Sequence, residues 1–167
     1  MKRVTSYAHH FLINHLSNTA NICDLTCGNG NDTLFCAQHF KSVISFDIQE
    51  EAIMQAKQKC SGHKNIVFIQ QSHELLDSYI LQSVDAYLFN SGYLPKSNSH
   101  RVTHAKSSIT AFDKSIRLLN AKGYLCLIFY RKHDGGNEEY IDCLSWLEKQ
   151  PTIRIIKNSK NAVKSLL

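Results

Sequence analysis

Proline is nearly absent from this chain, with two residues in 167, and glycine is sparse at seven. A collagen-like or proline-rich extended chain is thereby excluded. No run approaches the ~18 consecutive apolar residues of a membrane span. The N-terminus, Met1-Lys2-Arg3-Val4-Thr5-Ser6, is followed by no long apolar stretch and no small-residue cleavage site, so no signal peptide is expected. No two of the six cysteines (23, 27, 36, 60, 126 and 143) stand at C-x-x-C spacing, so neither a zinc site nor a redox pair is expected. Cys23, Cys60 and Cys126 lie among apolar or helical neighbours and read as small hydrophobes, in a cytoplasmic protein where disulfides are not expected.

What the chain does have is enough apolar material for a core: 43% hydrophobic against 20% charged. Its length suits one domain spanning 1–167, since single domains usually hold about 100–200 residues. The net charge of +5 is unevenly placed. Residues 1–95 carry six Lys/Arg against eight Asp/Glu, and residues 96–167 carry thirteen against six. Such a basic half suits a polyanion, though a lysine-rich solvated surface gives the same imbalance.

Strand-like and helical segments alternate along the chain. Apolar runs at 21–26, 42–47, 65–69, 84–90, 123–130 and 152–156 read as strands, with a seventh beginning at 162. Helical spacing marks 7–16, 32–40, 50–60, 72–81 and 107–119, and Gly135-Gly136 opens another helix to about Lys149. Strands separated by helices of about ten residues predict βαβ units: a mainly parallel, seven-stranded sheet with helices on both faces, a three-layer α/β sandwich. Ligands of such sheets bind beyond the carboxyl ends of the strands, where strand order reverses. The residues that follow each strand are therefore the ones to inspect.

After the first strand comes Asp24-Leu25-Thr26-Cys27-Gly28-Asn29-Gly30-Asn31-Asp32-Thr33. Thr33 stands where a dinucleotide fold wants the third glycine of G-x-G-x-x-G, which allows close helix packing. An acidic residue four positions before the first glycine is instead the pattern of S-adenosylmethionine sites. There Asp24, Asn29 and Asp32 could meet the amino-acid end of the ligand; a plain turn is the competing reading. After the second strand, Asp47-Ile48-Gln49 offers a carboxylate to two ribose hydroxyls, or else a helix cap. After the third, Ser72-His73 could flank an adenine ring, or Ser72 could cap a helix with Glu74. After the fourth, Asn90-Ser91-Gly92-Tyr93-Leu94-Pro95 has the polar and aromatic ends of the N-P-P-Y pattern of amino-group methyltransferases. The long polar loop to Lys106, with His100, Arg101 and His104, is a candidate functional loop. After the fifth, Tyr130-Arg131-Lys132-His133 precedes a glycine pair and could form a substrate rim, with cations for phosphates and rings for an unpaired base.

Taken together, Thr26-Cys27-Gly28-Asn29-Gly30-Asn31-Asp32-Thr33, Phe46-Asp47-Ile48-Gln49-Glu50-Glu51, Phe89-Asn90-Ser91-Gly92-Tyr93-Leu94-Pro95 and His133-Asp134-Gly135-Gly136-Asn137 resemble, in order, the YtqB/MnmM-type methyltransferase family. The resemblance covers essentially the whole chain. It implies a class I, Rossmann-like methyltransferase fold and S-adenosylmethionine as cofactor. The implied reaction methylates the aminomethyl nitrogen of 5-aminomethyl-2-thiouridine at the tRNA wobble position.

On that resemblance the cofactor site falls on Asn29, Asn31, Asp32, Asp47, Gln49 and His73; with the strand-end residues read above, Asp24, Thr26, Gly28, Gly30, Ile48, Ser72 and Asn90 are expected to complete it. Asn90, Tyr93 and His133 are expected to act on the substrate: Asn90 to orient the amine, Tyr93 to enclose the base, His133 to take the proton. Gly92, Arg101, Tyr130 and Arg131 complete the substrate side. The anticodon region of tRNA is the expected partner, gripped by this one domain or by a homodimer. Methylation of rRNA or of a small substrate, an NAD-dependent oxidoreductase and a non-catalytic RNA-binding module are the alternatives.

Overall fold

The computed structural model describes residues 4–90, 105–131 and 135–151. Along the chain run α1 (Val4–His15), β1 (Asn21–Asp24), α2 (Asn31–His39), β2 (Ser42–Asp47), α3 (Glu50–Lys59) and β3 (Ile66–Gln70). A short 3-10 helix (His73–Ser78), β4 (Val84–Asn90), α4 (Ala105–Arg117), β5 (Leu119–Ile128) and α5 (Gly136–Glu148) follow. The five described strands are all parallel and lie in the order β3-β2-β1-β4-β5. The two further strands expected at 152–156 and from 162 fall outside the described residues, as does the loop 91–104.

Burial on both faces explains the continuous apolar runs at 86–89 in β4 and 124–128 in β5. On one face Ile22, Val43, Leu88, Cys126 and Ile128 pack with Ala8 and Leu12 of α1 and Cys36 and Ala37 of α2. On the other, Phe46, Tyr87, Phe89, Leu125 and Leu127 pack with Leu76 of the 3-10 helix, Phe112 of α4, and Cys143 and Leu147 of α5. The three-layer α/β expectation therefore holds. All six cysteines are buried and free. Burial pushes the thiols up, Cys126 to about 12. Among the described residues, no helix is long and apolar enough to cross a membrane.

Several boundaries shift by one to three residues, and three differences have a structural cause. The helix read at 72–81 is a six-residue 3-10 helix, broken from α geometry at Leu75 (φ −98°, ψ 15°). The first strand stops at Asp24, where the backbone turns into the glycine loop. The strand read from Gly123 begins at Leu119. A bulge separates its two parts: Val84 pairs with Leu119, but Ala86 pairs with Tyr124. Asp85, opposite the bulge, fastens it by accepting from Asn120 Nδ2 at 2.7 Å and from the Asn21 backbone N–H at 2.7 Å.

Strand order reverses between β1 and β4. The loop leaving β1 and the last residue of β4, Asn90, thus share the carboxyl edge at the switch point, where this architecture binds ligands.

Candidate active site

The glycine loop is built around two positive-φ turns, Gly28 (φ 50°) and Gly30 (φ 78°). They differ in what surrounds them. A Cβ on Gly30 would sit 2.8 Å from Ala56 Cα, so glycine is required there for α3 to pack on the loop. A Cβ on Gly28 would meet nothing within 4 Å. Gly28 therefore leaves an open cradle at the strand ends, the space a ligand needs to approach the backbone.

Three carboxylates converge on this loop and differ in exposure. Asp24 is fully buried. Its carboxylate accepts from Thr33 Oγ1 (2.6 Å) and from the Thr26 backbone N–H (3.1 Å). Burial pushes Asp24 up to about 7, with the Asp32 charge adding to the effect. Asp24 was expected to touch the ligand. The structure places it beneath the loop instead, where it holds Thr26 and Thr33. Thr33 also bonds Ser45 Oγ at 2.8 Å. The third-glycine position is thus filled by a side chain locked into a polar network, unlike the close packing a dinucleotide loop uses.

Asp47, at the end of β2, accepts from the Gly28 N–H (2.8 Å) on one oxygen and from the Gln49 N–H (2.9 Å) on the other. The cap reading does not hold: the cap position of α3 is Gln49, and Asp47 braces the turn that precedes it. Its carboxylate is half-buried, and each oxygen can accept more than one bond. Beside it Ile48 is 47% exposed, an apolar side chain left uncovered at a strand end.

Asp32 lies in the first turn of α2, where the helix macrodipole favours an acidic group. It accepts from His9 Nε2 at 2.7 Å on one oxygen and from Asn90 Nδ2 at 2.9 Å on the other. Asn90 is further fixed through its backbone N–H, which donates to Thr26 Oγ1 at 2.8 Å. Because the Asn90 amide nitrogen is committed to Asp32, its Oδ1 is turned elsewhere; that oxygen is buried and has no hydrogen-bond partner among the described residues. His73 presents a second such atom. Its Nδ1–H donates to the Leu25 carbonyl at 3.1 Å, which leaves Nε2 as an acceptor, buried and without a partner among the described residues. Burial lowers the His73 pKa, which keeps the ring neutral and Nε2 able to accept. Unpaired buried polar atoms cost about 1–3 kcal/mol each. Two acceptors left this way at one edge of a sheet call for a ligand rich in donors.

The remaining expected residues divide. Asn29 is half-buried in the loop. Asn31 is exposed, and its Oδ1 accepts from Lys59 of α3 at 2.7 Å. The Ser72 hydroxyl accepts from the Glu74 N–H at 3.2 Å and so serves as the cap of the 3-10 helix. Arg131 is occupied by Asn137 (2.9 Å) and by the Tyr140 ring, 4.6 Å from its centroid. Tyr130 is 44% exposed at the end of β5. Gly92, Tyr93, Arg101 and His133 lie outside the described residues. His9 was missed altogether. It reaches the site from α1, its ring stacked on Phe35 at 3.7 Å.

Comparison with known proteins agrees with this fold. A family model described as "Putative rRNA methylase" matches residues 43–163. A chloroplastic tRNA (mnm(5)s(2)U34)-methyltransferase of Arabidopsis thaliana is 28% identical over 154 residues, covering 83% of this chain; the chain spans 56% of that relative's length. A solved structure from Clostridium thermocellum, described as a putative rRNA-methylase, is 29% identical with a TM-score of 0.90, covering 99% of this chain and 96% of its own. Another, described as a putative methyltransferase from Streptococcus mutans in complex with SAH, is 28% identical with a TM-score of 0.87 and covers 99% of both chains. With the family model over well more than half of its length, and the fold of class I methyltransferases around its glycine loop, this chain belongs to the rRNA methylase family.

Proposed function

We propose that this protein is an S-adenosylmethionine-dependent methyltransferase of tRNA, acting on the aminomethyl nitrogen of 5-aminomethyl-2-thiouridine at the wobble position. The observation that carries the reading is the Asn90 amide: an oxygen buried at the switch point, without a partner among the described residues, and held in one orientation by Asp32. An acceptor of that kind matches an amine N–H. The 28% identity to a tRNA (mnm(5)s(2)U34)-methyltransferase supports that choice of amine.

The residues fit the cofactor. The open cradle over Gly28 admits its backbone-proximal part. Asp47 is set to accept from ribose hydroxyls, Ile48 to cover a face of the adenine, and His73 Nε2 to accept from a donor of the nucleoside. Asn29, Gly30 and Gln49 complete the loop around it. Asp24, Thr26, Asn31 and Ser72 support this wall through the bonds described above. When bound, S-adenosylmethionine supplies a methyl group already activated by its sulfonium.

What the chain must supply is alignment and a neutral nucleophile. Alignment is a proximity effect and can account for much of the rate. A primary alkylamine is largely protonated near neutral pH, so the site must remove a proton or disfavour the charged form. Asn90 Oδ1 orients the nitrogen by accepting one N–H. His133, after β5, is the proposed proton acceptor. Tyr93 is proposed to enclose the base, with Gly92, Arg101, Tyr130 and Arg131 on the RNA side. The basic half of the chain suits the phosphates of the tRNA, and a single domain of residues 1–167, alone or as a homodimer, would carry the whole site.

The test is mass spectrometry of tRNA nucleosides. Hypomodified tRNA is incubated with S-adenosylmethionine, with and without the protein. Conversion of the aminomethyl to the methylaminomethyl nucleoside is expected. Methylation of another nucleoside, or none, would refute the assignment.

A further inference from the structure

His9 has no part in the site as the sequence motifs define it, yet it ends a chain of bonds that begins at Asn90. Asn90 Nδ2 donates to one oxygen of Asp32 (2.9 Å), and His9 Nε2 lies 2.7 Å from the other. Asp32 is only 6% exposed, so water offers little substitute for either partner. The two donors come from different elements, β4 and α1, and together they fix the plane of the carboxylate. The His9 ring is itself held by the stack on Phe35, 3.7 Å apart and inclined by 2°.

We infer that His9 is a positioning residue for the methyl-accepting amine: through Asp32 it sets the orientation of the Asn90 amide, so that Oδ1 meets the acceptor nitrogen. This rests on the reading of Asn90 given above. Three steps support it. An amide presents a donor and an acceptor on opposite arms, so fixing Nδ2 fixes Oδ1. A carboxylate with one buried oxygen unpartnered turns or recruits another group, because a charged acceptor left unsatisfied is costly. Asp32 with His9 removed is therefore a worse reference for Asn90. His9 touches no reacting atom in this scheme, and its effect falls on turnover rather than on cofactor affinity.

Two variants separate the donor from the ring. His9→Phe keeps an aromatic ring on Phe35 and removes the donor. His9→Gln gives up the ring and returns an N–H at about the reach of Nε2. Turnover on hypomodified tRNA should fall by about 10- to 100-fold in His9→Phe, the loss of one charge-assisted hydrogen bond, and His9→Gln should recover most of it. The affinity for S-adenosylmethionine should change by less than about threefold in both, the mark of an interaction outside uniform binding.

A second readout uses no cofactor and no activity: hydrogen exchange of the Asn90 side-chain amide protons by NMR, the resonances assigned by their loss in Asn90→Ala. Exchange should accelerate by about tenfold or more in His9→Phe and return toward the unaltered value in His9→Gln. Unchanged exchange in folded His9→Phe, turnover within twofold of the unaltered protein, or a folded His9→Gln no better than His9→Phe would each overturn the inference. Should the unaltered protein methylate no tRNA, the functional reading fails instead, and the exchange experiment still decides whether His9 orders Asn90.

Discussion

Replacing Asp24 by Asn should make the protein more stable at pH 8 and change the sign of nothing else in the fold. The reasoning starts from burial. Asp24 has no exposed surface, and its carboxyl is pushed from 3.8 up to about 7, first by desolvation and then by the charge of Asp32. Between those two values the folded protein holds a proton that the unfolded chain has released. Stability must then fall as pH rises through that window, because the folded state binds more protons than the unfolded one. A shift of this size corresponds to at most about 4 kcal/mol, at roughly 1.4 kcal/mol per unit. Asn is nearly isosteric, accepts from the Thr26 N–H with its oxygen, and can donate to Thr33 Oγ1 while that hydroxyl turns to Ser45. Equilibrium urea unfolding of the two proteins at steps from pH 4 to pH 8 gives the difference in stability at each pH. The difference should grow in favour of Asp24→Asn by a few kcal/mol up to about pH 7 and then level off. Contributions from other carboxylates, including exposed Asp77, whose pKa is lowered by its bond to Lys114, cancel to first order in the difference. A difference flat to within about 0.5 kcal/mol over the whole range would show that Asp24 titrates normally, and the account of the loop as built on a buried acid would be wrong.

The two loop glycines should separate stability from binding. Gly30→Ala forces a Cβ onto the α3 backbone at positive φ and should cost about 2–5 kcal/mol in urea unfolding. Gly28→Ala should cost only about 1–2 kcal/mol from its positive φ while weakening S-adenosylmethionine in calorimetry by about tenfold or more, since its methyl enters the cradle. Asn90→Ala should lower turnover by about 10²-fold with cofactor affinity little changed; unchanged turnover with intact binding would remove its assigned role. For His133→Ala, the pH–rate profile should lose the limb that reports the proton acceptor, and a profile identical to that of the unaltered protein would exclude it.

Much of the architecture was legible because its signals are local. The apolar runs of β2 and β4 gave their observed limits directly, and the glycine turn marks the end of β1 within the chain itself. Two boundaries failed for physical reasons. Asn120-Ala121-Lys122 interrupts the apolar run, so the strand reads from Gly123, yet the segment is a bulge fastened by Asp85, 35 residues away. Ser72-His73-Glu74 reads as the start of an α-helix, and the cap is real, but after Leu75 the segment bends to bring Leu76 into the core. At the site, the pattern D-x-x-x-G-x-G identifies Asp24 without revealing which side of the loop it faces. His9 left no such trace. It stands 23 positions from Asp32, in a helix whose spacing announces only the packing of Ala8 and Leu12.

The three carboxylates of the loop show why a motif names residues more readily than it names their work. All sit near the carboxyl ends of β1 and β2, and each could serve as an acceptor for a cationic, hydroxyl-bearing ligand. Exposure and prior commitments separate them. Asp24 is sealed and spends its oxygens on Thr26 and Thr33, so it can only shape the loop. Asp32 is nearly sealed and holds two side chains from distant elements, so it can only orient. Asp47 is half-buried, accepts from two backbone N–H groups with no side-chain donor among the described residues, and keeps lone pairs for a ligand. The same ordering predicts how each responds to neutralisation. Asn should be tolerated at 24, where it changes the pH dependence of stability. At 32 it should disturb Asn90 before it disturbs the fold. At 47 the first loss should be cofactor affinity. If Asp47→Asn left that affinity unchanged, the cradle would not be where the nucleoside lies.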